Sequence, residues 1–228
     1  MEIQVKGLSW VVKKSPEILA DELVREEMTS KPDLQHLVLP GGKSVLPLYN
    51  AIEQQITSFP KAIFYLTDER MVPIDNPNSN EGQIKNNFPG LYKNWIGFQE
   101  ANFEEKIQQM QTTDYTCIIG VGLDGHFASL FPNDVDFLEN NYIHTFSLPQ
   151  ENYARKSLGF PFFMGAQKII LWLLGKEKGS IAQYFKQENR TIPIIRLWQS
   201  AQAQNKQLAI YCDEDFYTSF YAEYHATV

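Results

Sequence analysis

A glycine-rich segment that carries a histidine and an aspartate is the strongest candidate for chemistry in this sequence. It reads GVGLDGHFASLFP over residues 120–132 and follows an apolar run. Histidine exchanges protons near neutral pH, and Asp124, two residues before His126, can hold one tautomer of the ring and stabilise its charged form. Gly122 and Gly125 allow a tight backbone path whose N–H groups can face a developing oxyanion. The segment predicts general acid–base catalysis, whereas an isolated histidine is more typical of a structural or surface position.

A second glycine-rich segment, PGGKS, leaves an apolar run and opens a helical pattern. Gly41 and Gly42 let the backbone approach a ligand, and the helix start supplies N–H donors and the positive end of its dipole. Lys43 and the hydroxyl of Ser44 would add a charge and a donor, which together favour a phosphate site. A nucleotide P-loop is excluded because Leu37 stands where its first glycine belongs. The alternative is a plain strand-to-helix turn with Ser44 as the helix N-cap.

Charged side chains form further candidates near other strand ends. Asp68, Glu69 and Arg70 directly follow an apolar run, and arginine is suited to bidentate contacts with an oxyanion. The alternative is a solvated loop in which the acids pair with the arginine. Arg155 lies in a strand pattern that leads into a turn, where it would bind a second phosphate oxygen or remain in solvent. Lys178 follows another strand end; its position favours the solvated face of a helix, and it is retained as a candidate ligand for the substrate.

The elements that must position these residues alternate between strands and helices. Apolar runs of strand length occur at residues 36–39, 62–67, 115–121, 143–147, 168–174 and 207–212, and helical patterns at 16–29, 44–56, 102–111 and 178–186. Near-continuous apolar strands are typical of parallel sheets buried on both faces. The sequence therefore predicts an α/β fold, a single three-layer Rossmann-like domain over residues 1–228, with a mainly parallel sheet and a short antiparallel addition. Ligands of such sheets bind beyond the carboxyl ends of the strands.

Composition restricts the possible partners. The 228 residues include 20 Lys and Arg against 27 Asp and Glu, and this net charge of −7 argues against a nucleic-acid binder. No apolar run has the roughly 18–20 residues that span a bilayer, and the N-terminus lacks the apolar region of a signal peptide. The histidines lack metal-ligand spacing; His36 and His144 fall in strands, and His225 in a terminus expected to fray. We expect a soluble cytoplasmic protein that is a monomer or weak homo-oligomer, with no membrane or nucleic-acid partner.

Three segments, in order over residues 37–178, resemble the 6-phosphogluconolactonase family, part of a larger group that includes glucosamine-6-phosphate deaminase. Residues 122–132 (GLDGHFASLFP) are similar to its G-x-D-G-H-x-A-S-L-F-P, and residues 68–73 (DERMVP) resemble its D-E-R-x-V-P. The residues downstream resemble its P-x-S-N, which adds Asn80 to the candidates, and the two glycines of PGGKS resemble its phosphate turn. The deaminases have Asn-Glu-Pro after D-G-H and usually an aromatic residue in place of Arg70, so both positions favour the lactonase.

The resemblance implies hydrolysis of 6-phospho-D-glucono-1,5-lactone in the oxidative pentose phosphate pathway, without a metal or organic cofactor. His126 would act as the general base with Asp124 supporting it, and N–H groups near Gly122 or Gly42 would stabilise the oxyanion. The sugar phosphate would bind the turn at residues 41–44 and nearby cations, namely Lys43, Arg70 and Arg155. Two alternatives stay open: a deaminase acting on amino-sugar phosphates, and a sugar-phosphate sensor without turnover.

Overall fold

A parallel seven-stranded sheet forms the centre of the molecule in a computed structural model that describes residue 5 and residues 7–30, 36–132 and 141–226. In spatial order its strands are β1 (Ser9–Lys13), β10 (Gln207–Asp213), β9 (Lys168–Leu173), β6 (Tyr115–Gly120), β2 (His36–Leu39), β3 (Ile63–Leu66) and β5 (Trp95–Ile96). A second, antiparallel sheet has the order β4 (Asp68–Arg70), β8 (Ala154–Leu158) and β7 (Ile143–Ser147). The two sheets are joined where the N–H of Leu158 donates to the carbonyl of Thr67 at 2.9 Å.

Helices lie between most of the strands. The α-helices of the described residues are α1 (Pro16–Val24), α2 (Leu46–Gln55), α3 (Asn80–Asn87), α4 (Pro89–Tyr92), α5 (Phe103–Met110), α6 (Phe160–Gly165), α7 (Ala182–Gln187), α8 (Pro193–Ala203) and α9 (Glu214–His225). Shorter helical turns are a π-helix at Arg25–Thr29 and 3₁₀ turns at Lys43–Val45, Ile56–Ser58 and Lys176–Ile181. No helix of the described ranges has the length and apolar character needed to cross a membrane.

The predicted α/β fold with a mainly parallel sheet is confirmed, and every predicted strand forms with ends within one residue. The strand at 143–147 joins the antiparallel sheet, and only His144 of its five residues is buried, unlike the strands of a parallel sheet that is buried on both faces. The predicted helices also form, although those at 44–56 and 178–186 begin as 3₁₀ turns. The prediction of a frayed end at His225 is wrong: the residue closes α9, with its ring 4.5 Å from that of Tyr221.

The chain order of the strands creates a crevice at the middle of the large sheet. From β2 the chain moves outward through β3 to β5, and from β6 it moves the opposite way through β9 to β10. Strands β2 and β6 therefore flank a topological switch point, where loops leave in opposite directions and open a space for ligands. The two strand ends are close: a Cβ added to Gly120 would lie 3.6 Å from Cβ of Pro40.

Candidate active site

A cavity of about 300 Å³ lies at the carboxyl ends of β2, β3, β6 and β9. The predicted site residues that line it are Gly41, Gly42, Ser44, Asp68, Arg70, Asn80, Gly122, His126, Arg155 and Lys178. The predicted residues that do not line it are Lys43, Glu69, Asp124 and Gly125. Sequence reasoning did not select Pro40, Thr67, Gly120, Val121, Leu123 and Ala128, which also line the cavity. These residues could have been found in the sequence because they neighbour the selected residues at the same strand ends.

His126 and Asp124 form a hydrogen-bonded pair beside this cavity. The ring Nδ1 lies 2.5 Å from Oδ1 of Asp124, and the same oxygen accepts the backbone N–H of His126 at 3.2 Å. A carboxylate at Nδ1 favours the tautomer that carries its proton there, so Nε2 is left as the basic nitrogen. The ring also packs on Phe131, with 4.8 Å between ring centroids. With 32% of its side chain exposed, His126 remains accessible from the cavity.

Two glycines allow this pair to form. A Cβ on Gly122 would lie 2.2 Å from Cε1 of His126, so only a residue without a side chain leaves room for the ring. Gly125 has a φ of +82°, and the N–H of Ile194 donates to its carbonyl at 3.1 Å. The N–H of Gly122 donates to the carbonyl of His126 at 2.8 Å. The expectation that this N–H faces an oxyanion is therefore not met, because it is already used inside the loop.

The turn at residues 40–44, here called the PGGKS turn, lines the same cavity as the histidine loop through Pro40, Gly41, Gly42 and Ser44. Gly42 has a φ of +93°, which favours glycine, and a 3₁₀ turn follows before α2 begins at Leu46. The alternative role of Ser44 as a helix cap is wrong, since its side chain makes no capping hydrogen bond. No described residue accepts the backbone N–H of Gly41 or Gly42. Lys43 is exposed and is not among the residues that line the cavity.

Arg70 contributes a cation that forms no close ion pair with any carboxylate of the described residues. Its Nη1 donates to Oδ1 of Asn80 at 2.8 Å and to the carbonyl of Asn78 at 3.1 Å. Its Nε is buried without a hydrogen-bond partner, and within the described ranges no carboxylate lies within 4 Å of the guanidinium. An arginine held by neutral acceptors keeps its full charge available to an anion. The loop alternative, in which Asp68 and Glu69 pair with Arg70, is therefore wrong.

Arg155 differs from Arg70 because it already has a carboxylate partner. Its Nε and Nη2 donate to the two oxygens of Glu151 at 2.8 and 2.5 Å, and this pairing lowers the pKa of Glu151 and raises that of Arg155. Its Nη1 lies 3.3 Å from Oγ of Ser129 and 3.8 Å from Asp68. Ser129 in turn donates to Asp68 at 2.6 Å. Arg155 thus orders a polar network at the cavity wall and is not the solvated edge cation that the sequence left open.

Glu69 supports the site from behind. It is fully buried and accepts four hydrogen bonds, from the N–H groups of Arg70, Asn80 and Glu81 and from the hydroxyl of Ser79. Burial raises the pKa of Glu69, and these donors oppose that rise. The carboxylate fixes the start of α3 and with it Asn80, which holds Arg70. The structure does not bring Glu69 to the cavity, unlike the sequence-based expectation.

Lys178 is a cavity residue and not the solvated helix-face cation that its position favoured. It lies in the 3₁₀ turn after β9, where burial lowers the pKa of its ammonium. Within the described part of the chain no carboxylate pairs with it. Arg70 and Lys178 therefore give the cavity an excess of positive charge in a protein of net charge −7. Among the same described residues, no three His, Cys, Asp or Glu side chains cluster closely enough to hold a metal ion.

Comparisons with known proteins find a matching family and several relatives. A family model described as glucosamine-6-phosphate isomerases/6-phosphogluconolactonase matches residues 19–208. A 6-phosphogluconolactonase of Borreliella burgdorferi is 28% identical over 175 residues, which cover 67% of this chain and 73% of the relative.

Solved structures of both activities in this group share the fold. A 6-phosphogluconolactonase from Shewanella baltica aligns with a TM-score of 0.76 at 19% identity, over 91% of this chain and 98% of the Shewanella chain. A monomeric glucosamine-6-phosphate deaminase aligns with a TM-score of 0.71 at 14% identity, over 92% of this chain and 99% of the deaminase chain. The two scores are close, so the fold does not separate lactone hydrolysis from deamination. The extent of the family match, over most of the sheet and every strand end of the cavity, shows that this chain belongs to the glucosamine-6-phosphate isomerase/6-phosphogluconolactonase family.

Proposed function

We propose that this chain hydrolyses 6-phospho-D-glucono-1,5-lactone to 6-phospho-D-gluconate. The observation that carries the proposal is that His126, which is paired with Asp124, lines the same cavity as Arg70 and Lys178, two cations without a carboxylate partner among the described residues. A base and an anion-binding wall in one cavity suit a substrate that has both a hydrolysable ester and a phosphate. The name of the Borreliella relative supports the same reaction.

Proton transfer is assigned to His126. Nε2 takes a proton from a water molecule as its oxygen attacks the lactone carbonyl, which forms a tetrahedral intermediate. The C1–O5 bond then breaks, and the ring oxygen leaves with the proton that Nε2 had taken. Asp124 keeps the Nδ1 proton in place and stabilises the imidazolium between the two steps. One water is consumed and one carboxylic acid is formed, and because His126 carries the proton in both steps, the proposed mechanism uses neither a metal nor an organic cofactor.

The phosphate is assigned to the part of the cavity that the PGGKS turn, Arg70 and Lys178 line. Arg70 and Lys178 supply positive charge, and the N–H groups of Gly41 and Gly42, which no described residue accepts, supply donors. Arg155 acts in a supporting role, because Glu151 already occupies two of its three donating nitrogens. The partner of the site is therefore a small sugar phosphate.

The segment after the histidine favours hydrolysis over deamination. In the deaminases that the sequence resembles more distantly, this segment supplies a carboxylate. Here Ser129 is fully buried, and its hydroxyl donates to Asp68 at 2.6 Å. Leu130 beside it is also fully buried. Neither residue provides an acid for amine chemistry.

Lactone hydrolysis by purified wild type, His126→Ala and His225→Ala tests the proposal. The lactone is generated in situ, spontaneous opening is subtracted, and ammonia release from glucosamine 6-phosphate is measured in parallel. General base catalysis contributes roughly 10²–10⁴-fold, so His126→Ala should lose that factor in kcat. His225 is exposed at the end of α9, so its replacement controls for the loss of a histidine as such.

Each outcome separates one part of the proposal from another. A loss in His126→Ala below tenfold would move the base to another residue while keeping the reaction. No acceleration by wild type, with tight binding of 6-phosphogluconate, would indicate a sensor, and ammonia release would indicate a deaminase. Activity that survives treatment with a strong chelator would support the absence of a metal from the mechanism.

A further inference from the structure

Two buried aromatic side chains hold the two ends of the PGGKS turn. The hydroxyl of Tyr49, in α2, donates to the carbonyl of Pro40 at 2.8 Å. The indole Nε1 of Trp172, in β9, donates to the carbonyl of Ser44 at 2.9 Å. Tyr49 is 2% exposed and Trp172 is fully buried, and neither side chain lines the cavity. Both therefore act on the turn from the core side.

The contact with Tyr49 determines where an N–H group of the turn points. The carbonyl of Pro40 and the N–H of Gly41 belong to one peptide unit, which is planar and trans. In such a unit the two groups point in opposite directions. Because Tyr49 holds the carbonyl on the core side, it directs the N–H of Gly41 away from the core, on the side of the cavity that Gly41 lines.

A third contact aligns the turn with the arginine. A Cβ on Gly41 would lie 2.3 Å from Nδ2 of Asn80, so the amide packs directly against the glycine backbone. The same amide accepts a hydrogen bond from Arg70 at 2.8 Å. A shift of the turn would therefore change the distance between its N–H donors and the Arg70 guanidinium. This distance matters because a bound anion must contact both groups at once.

We propose that Tyr49 and Trp172 are positioning residues that set the affinity of the PGGKS turn for the phosphate of the substrate. This inference rests on the proposed function, since it assigns that phosphate to the turn. The two donors satisfy carbonyl oxygens that would otherwise be free to rotate toward the anion and repel it. Tyr49 remains a donor throughout the assay range, because burial and the nearby Asp68 and Glu69 raise its pKa far above the usual value.

Tyr49→Phe removes only the hydroxyl, and Tyr115→Phe provides a matched control. The hydroxyl of Tyr115 is also buried and also donates to a backbone carbonyl, that of Phe162, at 2.6 Å. Tyr115 begins β6, so it lies at the end of the strand opposite the cavity. Both variants should lower the melting temperature, whereas only Tyr49→Phe should disturb the turn. Comparing the two separates a loss of stability from a loss of position.

The measurements are KM and kcat for the lactone and the Kd for 6-phosphogluconate. In Tyr49→Phe we expect KM and Kd to rise about tenfold, the size of one lost hydrogen bond, with kcat changed less than about twofold. Trp172→Phe should act in the same direction through Ser44. In Tyr115→Phe both constants should stay at the wild-type values.

Three results would overturn the proposal: unchanged KM and Kd in Tyr49→Phe, equal changes in Tyr115→Phe, or a fall in kcat at constant KM. A wild type that does not accelerate lactone opening would instead refute the proposed function. In that case the Kd for 6-phosphogluconate still tests the positioning role. If Tyr49→Phe folds poorly, Trp172→Phe tests the other end of the same turn with the same two constants.

Discussion

Replacing Gly122 with alanine should remove catalysis while leaving the fold nearly intact. The added Cβ would lie 2.2 Å from Cε1 and 2.3 Å from Nδ1 of His126, and 2.9 Å from Oδ1 of Asp124. Both partners of the proposed acid–base pair therefore meet the new methyl group at once. Gly122 is not among the residues with positive φ, so its backbone accepts alanine without strain.

The size of the effect follows from the overlap. Ordinary van der Waals contacts of a Cβ begin at 3.4 Å, and the Cβ of alanine at position 122 would lie 2.2 Å from Cε1 of His126. The ring must therefore move by about 1.2 Å to relieve the overlap. A displacement of about 1 Å in a catalytic group can cost on the order of 100-fold in rate. Because 32% of the His126 side chain is exposed, the ring can move into solvent, and the loss of stability should be small.

The assay is lactone hydrolysis together with thermal unfolding, with Gly120→Ala as the control. A Cβ on Gly120 would meet its nearest neighbour, Pro40, at an ordinary 3.6 Å, so this variant should stay much closer to wild type. We expect Gly122→Ala to lose about 100-fold in kcat with a nearly unchanged KM. A kcat within threefold of wild type would refute the assignment of His126 as the base, at least in the orientation set by Asp124.

Three further predictions concern charge and packing around the site. Burial lowers the pKa of Lys178, so the affinity for 6-phosphogluconate should weaken as the pH rises through that lowered value and the side chain loses its charge. In Lys178→Met, calorimetric titration should show weaker binding that no longer depends on pH in this way. A pH dependence that persists in the variant would contradict the assignment of Lys178 to the phosphate. Pairing with Arg155 lowers the pKa of Glu151 below 4.5, so its stabilising effect is present above pH 4.5 and is lost as the pH falls through the lowered value. The melting temperatures of wild type and Glu151→Gln should therefore converge in acid, and a constant difference would argue against the pair. Gly125→Ala places a Cβ at a φ of +82° and 2.3 Å from Cγ2 of Ile192. The φ alone should cost about 1–2 kcal/mol in urea unfolding; adding Ile192→Ala should restore only the part due to overlap, and full recovery would contradict this division.

Strands that lie in the middle of the sheet could be predicted from sequence, whereas the short polar elements β4 and α3 could not. β6 and β9 are almost wholly buried, so their uninterrupted apolar runs mark them clearly. The three residues of β4 are all charged and become a strand only by pairing with β8. Helix α3 has a single apolar residue, Ile84, and its start is stabilised by the distant carboxylate of Glu69 and by the Ser79 cap.

The parts of the site that depend on residues close together in the sequence could be predicted. The spacing of Asp124 and His126 made their pairing foreseeable, because two residues in a tight loop meet without help from the rest of the fold. Glu69 shows the limit, since a carboxylate after a strand looks the same in sequence whether it faces a cavity or turns inward. The hydrogen bond from Trp172 to the carbonyl of Ser44 could not be predicted for another reason. The two residues are 128 positions apart in the sequence, so only the folded chain brings them together.

The pairing of β1 with β10 has a consequence for how the chain folds during synthesis. Ser9 aligns with Ala209, so β1 can pair with β10 only after the residues up to β10 have been made. The neighbours β2, β3 and β6 all lie within residues 36–120 and can associate long before that. Because contacts between distant residues form late, we expect the crevice between β2 and β6 to assemble first on the ribosome. Lys178 is then added with β9, and β1 pairs after these strands although it precedes β2 in the chain.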